Sequence, residues 1–294
     1  MCMVTLRGTA GRPRVARAAV LFVALTLAAS VRASARDPGD RPYWRRNLFK
    51  RFLLDQKFLV TRWWPGELRH RSFVFPLALA TAAATASGGA EPGADYRLER
   101  SIQGWDDGKG VARGLSLLGE GKTAAVLVGG AYLVARWRRD ERLARSASLT
   151  AEALLNVGLW SVAMKRLTRR TRPVADGQGD FFVDRAEPGQ STNSFPSGHA
   201  MGAFAAATVF AQEYRDKRWV SWVAYGTAGL IGASRVSLGR HFPSDVVVGA
   251  MLGRSIGRMV SARQQEAAGR IADRFRPVID PVSGGYGLAY VHFW

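Results

Sequence analysis

Six stretches of this chain share one pattern. Residues 72–88, 115–137, 147–170, 199–214, 219–237 and 243–262 are rich in Ala, Gly, Val or Leu, with charged side chains collected at their ends. Segments of helical length with apolar flanks must bury those flanks against one another. The expected fold class is therefore all-α, a helical bundle of about six core helices with short connections. No repeat or low-complexity tract interrupts the series. The final stretch, SGGYGLAYVHFW, alternates and ends in an aromatic, which predicts a short C-terminal β tail packed on the bundle.

The first 35 residues carry a different signal. Arg7, Arg12, Arg14 and Arg17 precede AAVLFVALTLAAS, and the small residues ASA at 33–35 come just before RDPGD. That is the layout of a secretory signal peptide, with an uncleaved anchor as the alternative. Residues 36–71 form a basic, aromatic segment that predicts one amphipathic helix near 46–60. Such a helix either lies on an anionic membrane surface or caps the bundle with its apolar face. The expected organisation is thus leader 1–35, basic segment 36–71, helical domain 72–265 and tail 266–294.

Whether the bundle crosses a bilayer is argued both ways by the sequence. The uncharged runs mostly fall short of the ~20 residues a hydrocarbon core requires, and mean hydropathy is −0.07. The loops RWRRDERLAR and YRDKR are basic, whereas the alternate loops carry Glu91, Asp95, Glu99, Asp180 and Asp184. That asymmetry resembles the positive-inside rule. Yet if a leader is cleaved after Ala35, six crossings would place the acidic loops inside. Either the bundle does not span the bilayer or the N-terminal segment is not a signal; the expectation is a bundle in the cell envelope, periplasm-facing, soluble or membrane-associated.

Net charge is +19 and the pI is near 11.2. Such a balance favours an anionic partner, either lipid headgroups or a phosphorylated substrate. Nucleic acid is not expected, because zinc spacings, RNA-binding aromatic motifs and a long basic helix are all missing. The single cysteine, Cys2, excludes disulfides and cysteine metal sites.

Three segments could hold an anion. NSFPSGHAMG, residues 193–202, sets Ser197, Gly198 and His199 at the mouth of a helix, where unsatisfied N–H groups and partial positive charge favour negative ligands. The helix 147–170 ends in KRLTRRTRP. Lys165 and Arg172, seven apart, would project from one side before Pro173 stops the helix. A solvated basic terminus complementing the helix dipole is the plainer account. In SRVSLGRHFPSD, Asp245 follows His241 by four residues, so its carboxylate can reach the imidazole. That pair reads either as an oriented nucleophile or as a capped helix start. Bundle alternation puts all these helix ends on one face, together with Ser234 and Arg235.

K-x6-RP (Lys165 to Pro173), PSGH (Pro196 to His199) and SR-x5-H-x3-D (Ser234 to Asp245) together resemble the signature of the type 2 phosphatidic acid phosphatase and vanadium haloperoxidase superfamily. Eleven specified positions match in order, and the resemblance covers about residues 115–262. It implies a metal-independent phosphatase that acts on phosphomonoesters or pyrophosphates, chiefly of lipids. Lys165, Arg172, Ser197, Gly198 and Arg235 would bind the phosphate. His241 would be the nucleophile oriented by Asp245, and His199 the acid. No cofactor is implied, and vanadate is expected as an inhibitor. The same motifs fit a vanadate-dependent haloperoxidase, and the composition allows a non-catalytic envelope protein that binds anionic lipid.

Overall fold

The computed structural model describes residues 42–86, 93–103, 108–174, 177–184 and 188–272, with two strands beyond. The leader-like segment 1–35 lies outside the described residues. In chain order the helices are α1 (Leu48–Phe58), α2 (Trp64–Glu67), α3 (Arg71–Thr85), α4 (Ala94–Gln103), α5 (Lys109–Leu118), α6 (Gly121–Arg138), α7 (Glu141–Thr168), α8 (Gly198–Glu213), α9 (Arg218–Ser237) and α10 (Pro243–Ala272). Strands β1 (Phe275–Ile279) and β2 (Tyr286–Tyr290) pair antiparallel, with Phe275 opposite Tyr290.

Helix α8 is the axis of the bundle and packs against α7, α9 and α10. Its small residues allow close approach: Ala200, Ala205 and Ala207 are buried, with Met201 and Val209. Helix α10 answers with Gly249, Gly253 and Gly257, spaced one helical turn apart. A Cβ on Gly253 would lie 2.0 Å from the Met201 carbonyl oxygen, and one on Gly249 or Gly257 would lie 2.6 Å from Ser197 O or Ala205 O. The two helices thus run backbone against backbone, flanked by Val248, Leu252, Ile256 and Met259. This contact sets their N-termini side by side, and the Ser197 N–H donates to Asp245 O at 3.0 Å.

Several element boundaries differ from the sequence expectation. The stretch 115–137 is two helices: α5 and α6 meet at Gly119–Glu120 with a bend of 56°. Helix α4 was not anticipated, and α10 continues ten residues past 262. Helix α7 stops at Thr168, before Pro173, because Arg169 turns left-handed at φ 43°. From there the backbone bonds to the following loop instead: Thr171 N–H to Asp180 O and Arg172 N–H to Ser191 O, at 2.9 and 3.0 Å. Arg172 is therefore not two helical turns from Lys165 on one helix face. It reaches the site from a loop.

The basic segment caps the bundle: Tyr43, Trp44 and Leu59 join the apolar core, but α1 between them turns its polar face inward. Asn47 caps α1, accepting from the N–H groups of Phe49 and Lys50. Arg51, Asp55 and Gln56 are buried against α7 and α10, while Phe49 is 64% exposed. The cause is a buried polar network. Arg51 pairs with Glu152 at 3.0 Å, the Tyr43 hydroxyl donates to Glu152 at 2.6 Å, and Asp55 takes bonds from Asn156 and Arg263. Gln56 bridges Asn156 to the indole N–H of Trp160. These mutual bonds and ion pairs offset much of the cost of burying so many polar groups, although Arg51 Nε is left without a partner. After α1 the chain widens into a π turn over Leu59–Trp63, just before Pro65, which has no N–H to offer.

Among the described helices α7 is long and apolar enough to cross a membrane, and half of its most apolar window is buried. Broad apolar faces remain open elsewhere. Val126, Leu133 and Trp137 on α6 and Trp219 and Trp222 on α9 are 64–82% exposed.

Candidate active site

Four helix ends and two loops build one site. Lys165 lies in the last turn of α7, Ser197–His199 open α8, Arg235 lies in the last turn of α9, and Asp245 lies in the first turn of α10. His241 stands in the turn between α9 and α10. That turn is drawn tight by Gly239 at φ +63° and by bonds from Arg240 N–H and His241 N–H to Arg235 O. Arg172 arrives from the loop after α7. The structure brings all eight sequence-selected residues together. Lys165 Nζ is 3.9 Å from where a Cβ on Gly198 would sit, so the ammonium stands beside the start of α8.

His241 and Asp245 are both buried, with His241 Nδ1 3.6 Å from Asp245 Oδ2. That is an ion-pair distance, too long for a hydrogen bond. Asp245 is held chiefly by others. Its Oδ2 accepts from Ser194 Oγ at 2.5 Å and from the Phe242 N–H at 2.9 Å, and its Oδ1 accepts from Arg170 at 2.6 Å. The aspartate thus caps its own helix start and also faces the imidazole. Burial pushes its carboxyl up, but the Arg170 guanidinium and the hydrogen bonds hold it at about 2. Burial carries the His241 imidazole down to about 4 against the pull of Asp245. With Nδ1 facing the carboxylate, Nε2 is the ring nitrogen left for other partners.

Positive charge is crowded here. Burial and the neighbouring Arg172 lower Arg235 to about 10, and burial with Arg240 lowers Arg172. His199 is pushed down to about 3 by burial, then by the charge of Arg235. Nε of Arg172, Nε of Arg235 and Nδ1 of His241 are buried without hydrogen-bond partners. Unmatched donors and mutually repelling cations are what an anion would relieve. Ser197 is fully buried as the α8 N-cap, its Oγ 3.5 Å from the Ala200 N–H. Its hydroxyl is thus engaged with the helix start. Among the described residues no group of three His, Cys, Asp or Glu side chains is placed to hold a metal ion.

Several residues in contact with the site are not among those the sequence motifs specify. Ser116 on α5 accepts a bond from Arg235, and Gly119 lies against His199, where a Cβ would come 2.9 Å from the imidazole Cδ2. Ser161 on α7 stands 2.9 Å from a Cβ on Gly198. Arg170 and Ser194 sit inside the quoted segments KRLTRRTRP and NSFPSGH, so their proximity to the motifs was a usable signal. Asp95, which binds Arg170 at 2.8 Å from α4, had none.

A cavity of about 1470 Å³ opens from this site. Gly198 and His199 line one end, and Trp44 and Leu48 the other. Between them the walls are apolar or small, including Val128, Leu154, Gly202, Ala206 and Ile231. Arg51 and Trp44 bond Ser148 near the start of α7, roughly 25 Å from Lys165 at 1.5 Å rise per residue.

Comparisons with known proteins bear on the fold and the family. A lipid A 1-phosphatase of Porphyromonas gingivalis is 41% identical over 83 residues, 28% of this chain and 19% of that protein. The chain therefore spans about a fifth of that relative's length. The decaprenylphosphoryl-5-phosphoribose phosphatase of Mycobacterium tuberculosis is 34% identical over 52% of this chain and 78% of its own length. The crystal structure of a transmembrane PAP2 type phosphatidylglycerolphosphate phosphatase from Bacillus subtilis superposes with a TM-score of 0.52 at 24% identity, over 66% of this chain and 94% of that one. It shares the fold. The PAP2 superfamily profile matches residues 146–268, the stretch that carries every motif above. With that match and the extent of the mycobacterial similarity, the chain belongs to the PAP2 superfamily.

Proposed function

We propose that this protein is a membrane-associated phosphatase of the cell envelope that hydrolyses a lipid phosphomonoester or pyrophosphate through a phosphohistidine. One observation carries the lipid assignment: the apolar cavity opens directly onto His199 and Gly198. A soluble phosphoester needs no such chamber. The exposed apolar faces of α6 and α9 suit contact with a membrane. The relatives named for lipid A and a decaprenyl phosphosugar point to the same substrate class.

In this reading Lys165, Arg172 and Arg235 neutralise the phosphate oxygens, and the backbone N–H groups opening α8 add donors. His241 Nε2 forms a bond to phosphorus while the ester P–O bond breaks. His199 gives its proton to the leaving oxygen. His199 then takes a proton from water, the hydroxyl attacks phosphorus, and the N–P bond returns its electron pair to His241. Asp245 offsets the positive charge that grows on His241 in the first step. The cationic cluster stabilises charge spread over the equatorial oxygens, which is where catalysis of phosphoryl transfer is concentrated.

The test is phosphate release from a panel of lipid and soluble phosphoesters. Lipid phosphates should turn over fastest, His241→Ala should abolish turnover without unfolding the protein, and vanadate should inhibit. EDTA should leave the rate unchanged. A His241→Ala variant that keeps most of its activity would overturn the nucleophile assignment. Soluble esters outpacing every lipid would overturn the substrate class.

A further inference from the structure

Behind the nucleophile lies a second layer of charge that the motifs do not include. Arg170 is fully buried, its guanidinium 4.4 and 5.0 Å from the ring centroids of Phe242 and Phe181. Nη1 donates to Asp245 Oδ1 at 2.6 Å and Ser244 Oγ at 2.8 Å. Nη2 donates to Asp95 Oδ2 at 2.8 Å, and Nε donates to Gly179 O at 3.1 Å. Asp95 also accepts from the Ser244 hydroxyl and, at 3.0 Å, from the Ser244 N–H. It is 4% exposed and is delivered by α4 from outside the motif-bearing helices.

Charge counting gives this arrangement a meaning. Arg170 and Asp245 alone form a neutral pair, and a neutral pair offers little to an imidazole that becomes positive on attacking phosphorus. Asp95 supplies a second carboxylate to the same guanidinium. The set Asp95–Arg170–Asp245 then carries net −1 in a water-poor interior, where such a charge is felt strongly. We infer that Asp95 is a positioning residue whose charge occupies Arg170, so that Asp245 keeps an uncompensated negative charge for His241. It touches no substrate and acts through Arg170 and Ser244. The inference rests on the assignment of His241 as nucleophile.

The other charged or titratable groups around the pair are cationic or neutral, apart from one. They are Lys165 from α7, Arg172 from the loop, His199 from α8, and Arg235 and Arg240 from α9 and its turn. Glu99, one turn beyond Asp95 on α4, bonds Gln103, and both abut Gly239. The anionic side of His241 is therefore Asp245, with Asp95 behind it and Glu99 beside the turn.

Two substitutions move the balance in opposite directions. Asp95→Asn keeps the shape and removes one negative charge. The acid limb of the pH profile of kcat/KM, which reports His241 losing its proton, should move down by about one pH unit. kcat should fall by up to about tenfold, the factor that one pKa unit represents. Arg170→Gln leaves two carboxylates unneutralised, and the same limb should move up. Competitive inhibition by inorganic phosphate should stay within about threefold of wild type in both, because the phosphate ligands are untouched. Limbs that do not move, or move the same way, would overturn the inference, as would loss of phosphate inhibition along with turnover. Retained activity in His241→Ala would instead sink the underlying assignment, so the two failures are distinguishable.

Discussion

Gly253→Ala tests the contact on which the whole site depends. Gly253 lies about two turns beyond Asp245 on α10, and the added Cβ would sit 2.0 Å from the Met201 carbonyl oxygen. An unstrained carbon-to-oxygen contact needs about 3.3 Å. Helices α8 and α10 must therefore part by roughly 1.3 Å, and the obstacle is backbone, which cannot rotate away. Overpacking of this kind costs ~1–3 kcal/mol, which for a chain of this size lowers Tm by roughly 2–10 °C. Activity should suffer more than stability. Helix α8 carries His199 and α10 carries Asp245, and a misplacement of ~1 Å between catalytic groups costs about a hundredfold in rate. Thermal unfolding together with kcat on the best lipid phosphate gives both readouts. Gly229→Ala on α9 is the control, since nothing lies within 4 Å of a Cβ there. It should be neutral or slightly stabilising, as Gly→Ala inside a helix usually is. A Gly253→Ala protein that melts with wild type and keeps its kcat would refute the argument that a backbone seam aligns the site. So would a Gly229→Ala protein that fails as badly.

Two further outcomes follow from the charge arrangement. Arg235→Lys keeps the positive charge but loses the planar fork that holds both Ser116 and an anion, so kcat/KM should fall at least about tenfold with little change in Tm. His199 is held at about 3 by burial and by Arg235, so near pH 6 it carries no proton in the unliganded protein. A bound phosphate or vanadate anion offsets the electrostatic part of that shift, so the His199 pKa should rise on binding. NMR titration of the histidine in the free and vanadate-bound protein measures this, and a His199 pKa that stays put or falls would contradict it.

The sequence alone determined the helical class and the superfamily, and it named the residues that the fold gathers into the candidate site. Helix periodicity, Pro243 and Ser197 at helix starts, and the spacing of Lys165, Arg172, His199, Arg235, His241 and Asp245 are local features, written within a few turns of chain. Tertiary structure decided what those features could not express. The exit of Arg172 from α7 depends on backbone bonds from Thr171 and Arg172 to residues 180 and 191. The inverted burial of α1 depends on Glu152, Asn156 and Arg263 waiting in other helices. Asp95 meets Arg170 only because α4 packs near the α9–α10 turn. A lone acidic residue on a short helix looks solvated in any sequence. Its partner lies 75 residues away, and only packing, which no local pattern encodes, puts the two charges together.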